Sequence, residues 1–233
     1  MSEVIIFMHI PKTAGTTLID VMQWQYGDIS KSFASKFVDL SAWEHVDKIG
    51  NCQAVAGHVP YGIHDKFGFD NYQYITLFRH PVERIVSLYN YIIGLTGEGR
   101  KWWEERGVYN NISLRDFVNL RLANLHDGMV RQLIGIDFYY ENQYRPVNID
   151  DYKLVVKRLD SMLYGTVEDI DKSIKRIGNQ LGWKVGKIPH SNKANYDLNL
   201  SSSKMYDVYD DICNNNQFDI LLYHRAKTRL GKQ

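Results

Sequence analysis

The run Val4-Ile5-Ile6-Phe7-Met8, followed by His9-Ile10-Pro11-Lys12-Thr13-Ala14-Gly15-Thr16-Thr17-Leu18, constrains this chain more than any other stretch. The uninterrupted apolar residues read as a buried strand. The strand breaks at Pro11, and from Gly15 onward Leu18, Ile19 and Met22 recur at helical spacing. A strand that feeds a helix through a short loop aims the helix's unpaired N–H groups at one point, which suits a phosphate or sulfate. Lys12 adds a mobile positive charge, Thr13, Thr16 and Thr17 add hydroxyl donors, and Gly15 removes a side chain where an anion must approach. The loop is not G-x-x-x-x-G-K-[ST], because its lysine precedes the glycine. Taken alone, it also fits an ordinary strand-to-helix turn with a surface lysine.

Other short apolar or aromatic runs at 52–57, 73–78 and 161–165 read as strands, joining 4–9. Helical patterning is predicted at 15–25, 81–94, 113–122, 127–134, 150–159, 168–182 and 204–228. Ser113 with Asp116 resembles a capping box, and Asp127 can cap the helix of Met129, Val130 and Leu133. Strands alternating with helices predict an α/β fold: a central parallel β-sheet flanked by helices, with a helical elaboration around 95–160. No Pro-, Gly- or Ser-rich stretch divides the 233 residues, so a single domain over 1–233 is expected.

Ligands in such folds sit beyond the C-terminal ends of the strands. Three motifs then converge on one sheet edge: Pro11–Thr17, His58 in Gly57-His58-Val59-Pro60, and Arg79 in Phe78-Arg79-His80-Pro81. An arginine fork with the Ser87 hydroxyl suits a phosphate monoester. The same residues also suit a proline-started helix with Glu83 and Arg84 as solvated charges. A strand-end histidine such as His58 can be a general base or a structural hydrogen-bonder.

The net charge of +1 excludes bulk electrostatic attraction to nucleic acid or membrane, so any anion site is local. No apolar run approaches the roughly 20 residues of a membrane span, and Met1-Ser2-Glu3 lacks the basic start of a signal peptide. Cys52 reads as a buried free thiol, and with Cys213 so distant a reducing, cytoplasmic setting is expected. The histidines show no tight metal-ligand spacing, so no metal is expected.

On these motifs the chain resembles the sulfotransferase superfamily, closest to the carbohydrate branch with the uronyl 2-O-sulfotransferases. His9–Thr17 is similar to that family's loop for the 5′-phosphosulfate of 3′-phosphoadenosine 5′-phosphosulfate (PAPS). Phe78–Ser87 is similar to its 3′-phosphate motif, and Gly57-His58-Val59 to the segment carrying its catalytic histidine. Asp127–Leu133 and Tyr164–Glu168 are similar to later blocks. Position 80 is His where the family often has Asp, and the membrane anchor of the Golgi members has no counterpart in this sequence.

The resemblance implies a P-loop-like fold and a metal-free transfer of a sulfuryl group from PAPS to an acceptor hydroxyl, leaving PAP (adenosine 3′,5′-bisphosphate). It implies Lys12 and His58 as catalytic residues. Lys12, Thr13, Ala14, Gly15, Thr16 and Thr17 would hold the 5′ side of the donor, with Arg79 and Ser87 on the 3′-phosphate. It also implies a small-molecule or carbohydrate acceptor. Tyr89, Tyr91, Trp102, Trp103, Tyr109, Tyr139, Tyr140 and Tyr144, with interspersed arginines, are candidates to face it or to fill the helical core. Asn192-Lys193-Ala194-Asn195 is a candidate closing loop. Two other functions fit a strand–loop–helix cradle: a Mg²⁺-dependent kinase or other nucleotide phosphotransferase, and a non-catalytic nucleotide-binding module.

Overall fold

The computed structural model describes residues 3–27, 37–39, 52–120, 122–136, 138, 145–189 and 202–232. Five parallel strands form one sheet in the order β2-β3-β1-β4-β5. They are β1 (Val4–Met8), β2 (Phe37–Asp39), β3 (Ala54–Gly57), β4 (Tyr72–Phe78) and β5 (Leu163–Thr166). β1 is central, with Ile6 paired to Val55 of β3 on one side and to Tyr74 of β4 on the other. The chain steps from β3 across β1 to β4, so the sheet reverses its order at β1, which is where α/β folds open a ligand crevice.

The helices are α1 (Gly15–Tyr26), α2 (Ile63–Phe67), α3 (Pro81–Ile93), α4 (Gly97–Glu104), α5 (Leu114–Val118), α6 (Gly128–Ile134), α7 (Ile149–Asp160), α8 (Ile170–Gln180), α9 (Ser202–Asn215) and α10 (Gln217–Leu230). Side chains alternate across a strand, so a sheet covered on both faces needs an unbroken apolar run. In β1, Val4, Ile6 and Met8 pack with Met129, Val130 and Leu133 of α6, Val155 and Leu159 of α7, and Leu222 of α10. Ile5 and Phe7 pack on the other face with Leu18 and Met22 of α1 and Ile174 and Ile177 of α8. A third apolar cluster joins α3, α5 and α9 through Ile85, Phe117 and Ile212. The described residues of 95–160 are mainly helical, as predicted, with α4 to α7 and a 3₁₀ turn at Ala123–Leu125.

Several expectations are corrected. β2, α2 and α4 were not anticipated, and the helix read at 113–122 is confined to Leu114–Val118. The helix read at 204–228 is two helices that meet at Asn216. The Asn216 side chain is buried there, and its amide donates to the carbonyls of Leu125 and Ile212. Asp127 does not cap α6, because it sits in left-handed backbone at φ 53°. Asp219 of α10 does so instead, its carboxylate accepting from the N–H groups of Met129 at 3.1 Å and Val130 at 2.8 Å. Asp127 returns the contact by accepting from the N–H of Asp219 at 2.9 Å. No helix among the described residues is long and apolar enough to cross a membrane.

Candidate active site

The loop after β1 is fixed from below. His9 N–H donates to the carbonyl of Gly57 at 2.9 Å, and the Thr76 hydroxyl donates to the carbonyl of Met8 at 2.8 Å. Thr13 is fully buried and its hydroxyl donates to the Ile10 carbonyl at 2.8 Å, so its hydroxyl braces the loop and only its N–H can serve an anion. Lys12 and Ala14 both adopt left-handed backbone, at φ 70° and 57°. Left-handed residues placed this way turn successive amides toward one side, the arrangement of an anion nest. α1 then begins at Gly15 with no side-chain cap, which leaves its first amides to a ligand. Thr16 is exposed and Thr17 buried.

Gly15 is a matter of space. A Cβ at this position would lie 2.0 Å from the His9 ring, well inside contact distance. His9 is partly buried, its ring 5.5 Å from that of Phe7 and 4.4 Å from that of His58. Burial first, then the neighbouring His58 and Lys12, push the His9 imidazole down to about 3, so it is neutral at physiological pH.

The three strand ends meet. Arg79, one residue past β4, reaches the carbonyl of Lys12 with Nη1 at 3.4 Å. Its Nε is buried without a hydrogen-bond partner among the described residues, 3.5 Å from the Glu83 carboxylate. Burial, and then the Arg79 charge, lower the Lys12 ammonium from its ordinary range. Lys12 Nζ sits 4.1 Å from the centre of the Tyr91 ring. On the other side of β1, His58 follows β3 and its Nδ1 lies 2.9 Å from the carbonyl of His9. A carbonyl only accepts, so neutral His58 carries its proton on Nδ1 and its lone pair on Nε2. The side chain of His58 is exposed.

Ser87 lies half-buried on α3. Glu83, Ser87 and Tyr91 are spaced by four, so they share one face of that helix. Because Glu83 meets Arg79 and Tyr91 meets Lys12, Ser87 falls between the helix's contacts with those two cations. The start of α3 is held by Glu168, which accepts from the N–H of His80 at 2.9 Å.

Sequence reasoning assigned no site role to Tyr91 as a partner of Lys12, to Glu83 as a partner of Arg79, or to Gln132. Helical spacing from Ser87 could have found the first two. Gln132 lies in the block Asp127–Leu133, but nothing local marks it. Among the other aromatic candidates, Tyr89 donates to the Ile112 carbonyl and packs in the helical cluster, as does Trp103, while Trp102 is capped by Arg106. Tyr139, Tyr140, Tyr144 and Asn192–Asn195 lie outside the described residues.

Two sulfotransferase structures are among the solved structures to which this chain is similar. Mouse SULT7A1, complexed with PAP, matches 92% of this chain and 66% of its own at 14% identity, with a TM-score of 0.44. The sulfotransferase of Alicyclobacillus acidocaldarius matches 96% of this chain and 97% of its own at 13% identity, also with a TM-score of 0.44. The chain therefore spans about two thirds of the mouse protein and nearly all of the bacterial one. No curated protein sequence matches it. The description of the sulfotransferase family matches residues 2–224, a span that takes in the Lys12 loop, His58 and the start of α3, and the chain belongs to that family.

Proposed function

We propose that this sulfotransferase moves the sulfuryl group of PAPS to a hydroxyl of a carbohydrate acceptor, with His58 as general base. The observation that carries the donor reading is the approach of Arg79 to Lys12, 3.4 Å from guanidinium nitrogen to backbone oxygen. It puts two cations from adjacent strands at one end of the sheet. Such a pair suits a nucleotide charged on both its 5′ and its 3′ side. The residues fit such a donor: the uncapped start of α1 and the left-handed pair at Lys12 and Ala14 offer amides to the 5′ end. The buried Arg79 Nε still lacks an acceptor, and a 3′-phosphate would supply one.

In the reaction, Nε2 of His58 receives the hydroxyl proton as the acceptor oxygen bonds to sulfur. Lys12 neutralises the charge left on the bridging oxygen of the 5′-phosphate when its bond to sulfur breaks. The amides of residues 13–16 hold that phosphate in line with the attack, with Thr17 contributing at most its hydroxyl, its amide being bonded to the Ala14 carbonyl. Arg79 and Ser87 fix the 3′-phosphate and so the register of the nucleotide. The carbohydrate assignment rests on the likeness of Gly57-His58-Val59 to the uronyl 2-O enzymes. The half-exposed Tyr91 ring, one face of which Lys12 covers, adds aromatic surface at the same edge of the site.

Transfer of labelled sulfate from PAPS to a panel of sugars, lipids and phenols tests this reading. Label on sugars is expected. Label only on lipids or phenols would overturn the acceptor class, and phosphate transfer from ATP that stops with chelator would overturn the donor.

A further inference from the structure

We infer that Gln132 is a positioning residue that holds His58 in the proton form needed for a base. This rests on the reading of His58 given above and extends it to a residue on a different element. Gln132 is completely buried on α6. Its Nε2 donates to two backbone carbonyls, those of His9 at 3.1 Å and Val59 at 2.9 Å. The His9 carbonyl is the same oxygen that accepts from Nδ1 of His58. Val59 is the residue directly after His58. One amide group therefore ties the strand-end loop of β1 to that of β3, on both sides of the histidine.

The consequence is chemical. A histidine is a base only through the nitrogen that lacks a proton, and the acceptor at the other nitrogen decides which one that is. In many hydrolases a carboxylate fills this role. Here a backbone carbonyl does, and a carbonyl on a loop holds an imidazole only as well as the loop itself is held. Gln132 supplies that restraint, and its own helix is anchored by the reciprocal contacts of Asp127 and Asp219. The His9 ring, neutral and 4.4 Å from His58, packs beside it without adding a charge. Each of these contacts favours the proton on Nδ1.

The test is nitrogen NMR on the full chain labelled at histidine, which reads the tautomer of His58 directly. In the unmodified protein the neutral ring is expected to be chiefly Nδ1–H. Gln132→Leu, similar in size but without the amide, should shift the ring toward a mixture of both tautomers while PAP affinity by calorimetry stays within about threefold. Val130→Ala weakens the same helix without touching the clamp, and should leave the tautomer unchanged. An Nε2–H ring in the unmodified protein would overturn the proposal whether or not the Leu variant folds. So would a Leu variant with the same tautomer as its parent, or a Val130→Ala variant that shifts it equally. Failure of the unmodified protein to bind PAP would instead overturn the donor reading, and the tautomer measurements would still decide the role of Gln132.

Discussion

The ammonium of Lys12 lies over the face of the Tyr91 ring, 4.1 Å from its centre, four residues beyond Ser87 on α3. A cation on an aromatic face gains about 0.5–1 kcal/mol at a partly exposed site. Tyr91→Leu is expected to lower sulfate transfer by about two- to fivefold, the equivalent of that energy. Tyr91→Phe keeps the ring and should keep the rate. The contact can be checked without turnover: the Lys12 ε-methylene signal should be shifted by the ring current in the parent and in the Phe variant, and not in the Leu variant.

Gly15 has a steric role. Because a Cβ would fall 2.0 Å from the His9 ring, Gly15→Ala must displace that ring, and with it the stack on Phe7 and the contact with His58. Overpacking of this kind costs about 1–3 kcal/mol. A lower melting temperature, together with weaker PAP binding, is the expected outcome. An alanine variant with unchanged melting and binding would show that the His9 ring is not packed against Gly15.

His58→Ala is expected to lower turnover by about 10²-fold or more while PAP affinity is retained, as for loss of a general base. Stopped assays with labelled PAPS and calorimetry on the same preparation separate the two effects. Unchanged turnover would remove His58 from the proton transfer.

Stability should depend on pH through Asp127. Burial, and secondarily the neighbouring Asp219, raise its carboxyl to about 7. The folded chain then holds this proton more tightly than the unfolded chain, whose carboxyl titrates near pH 4, about the ordinary value. The stabilisation is complete below that range and is lost as pH rises through about 7. Asp127→Asn keeps an oxygen to accept from the Asp219 N–H and removes the charge, so its urea midpoint should fall less between pH 5 and 8, roughly the window of the titration. Equal pH slopes in parent and variant would contradict this.

The sheet and the end of it that carries the candidate site were legible because the signals are local. The apolar run of β1 ends at a proline, and Pro81 opens α3 directly after β4. The elements that were missed lack such signals. β2 is three residues long and is defined by its pairing with β3. α4 begins Gly-Glu-Gly-Arg, a poor helix former, and its Arg100 is buried with bonds to the carbonyls of Ile92 and Val108. The break at Asn216 depends on bonds to Leu125 and Asp127, roughly ninety residues away in the chain. The site divides the same way. Lys12, His58 and Arg79 stand at strand ends that sequence can find. Tyr91 follows from Ser87 by helical spacing, whereas Gln132 depends on how α6 lies against the sheet, which no local pattern encodes.

The most direct test of the central claim is calorimetric titration of PAP into the parent protein and into Arg79→Ala, with ATP and Mg²⁺ as the comparison. One nucleotide touching both the Lys12 loop and Arg79 requires that PAP bind without metal and more tightly than ATP. It also requires that Arg79→Ala weaken PAP by about 10- to 100-fold, the range for losing a charge-assisted bond to phosphate. Tighter binding of ATP with Mg²⁺, or a PAP affinity that ignores the loss of Arg79, would contradict the account.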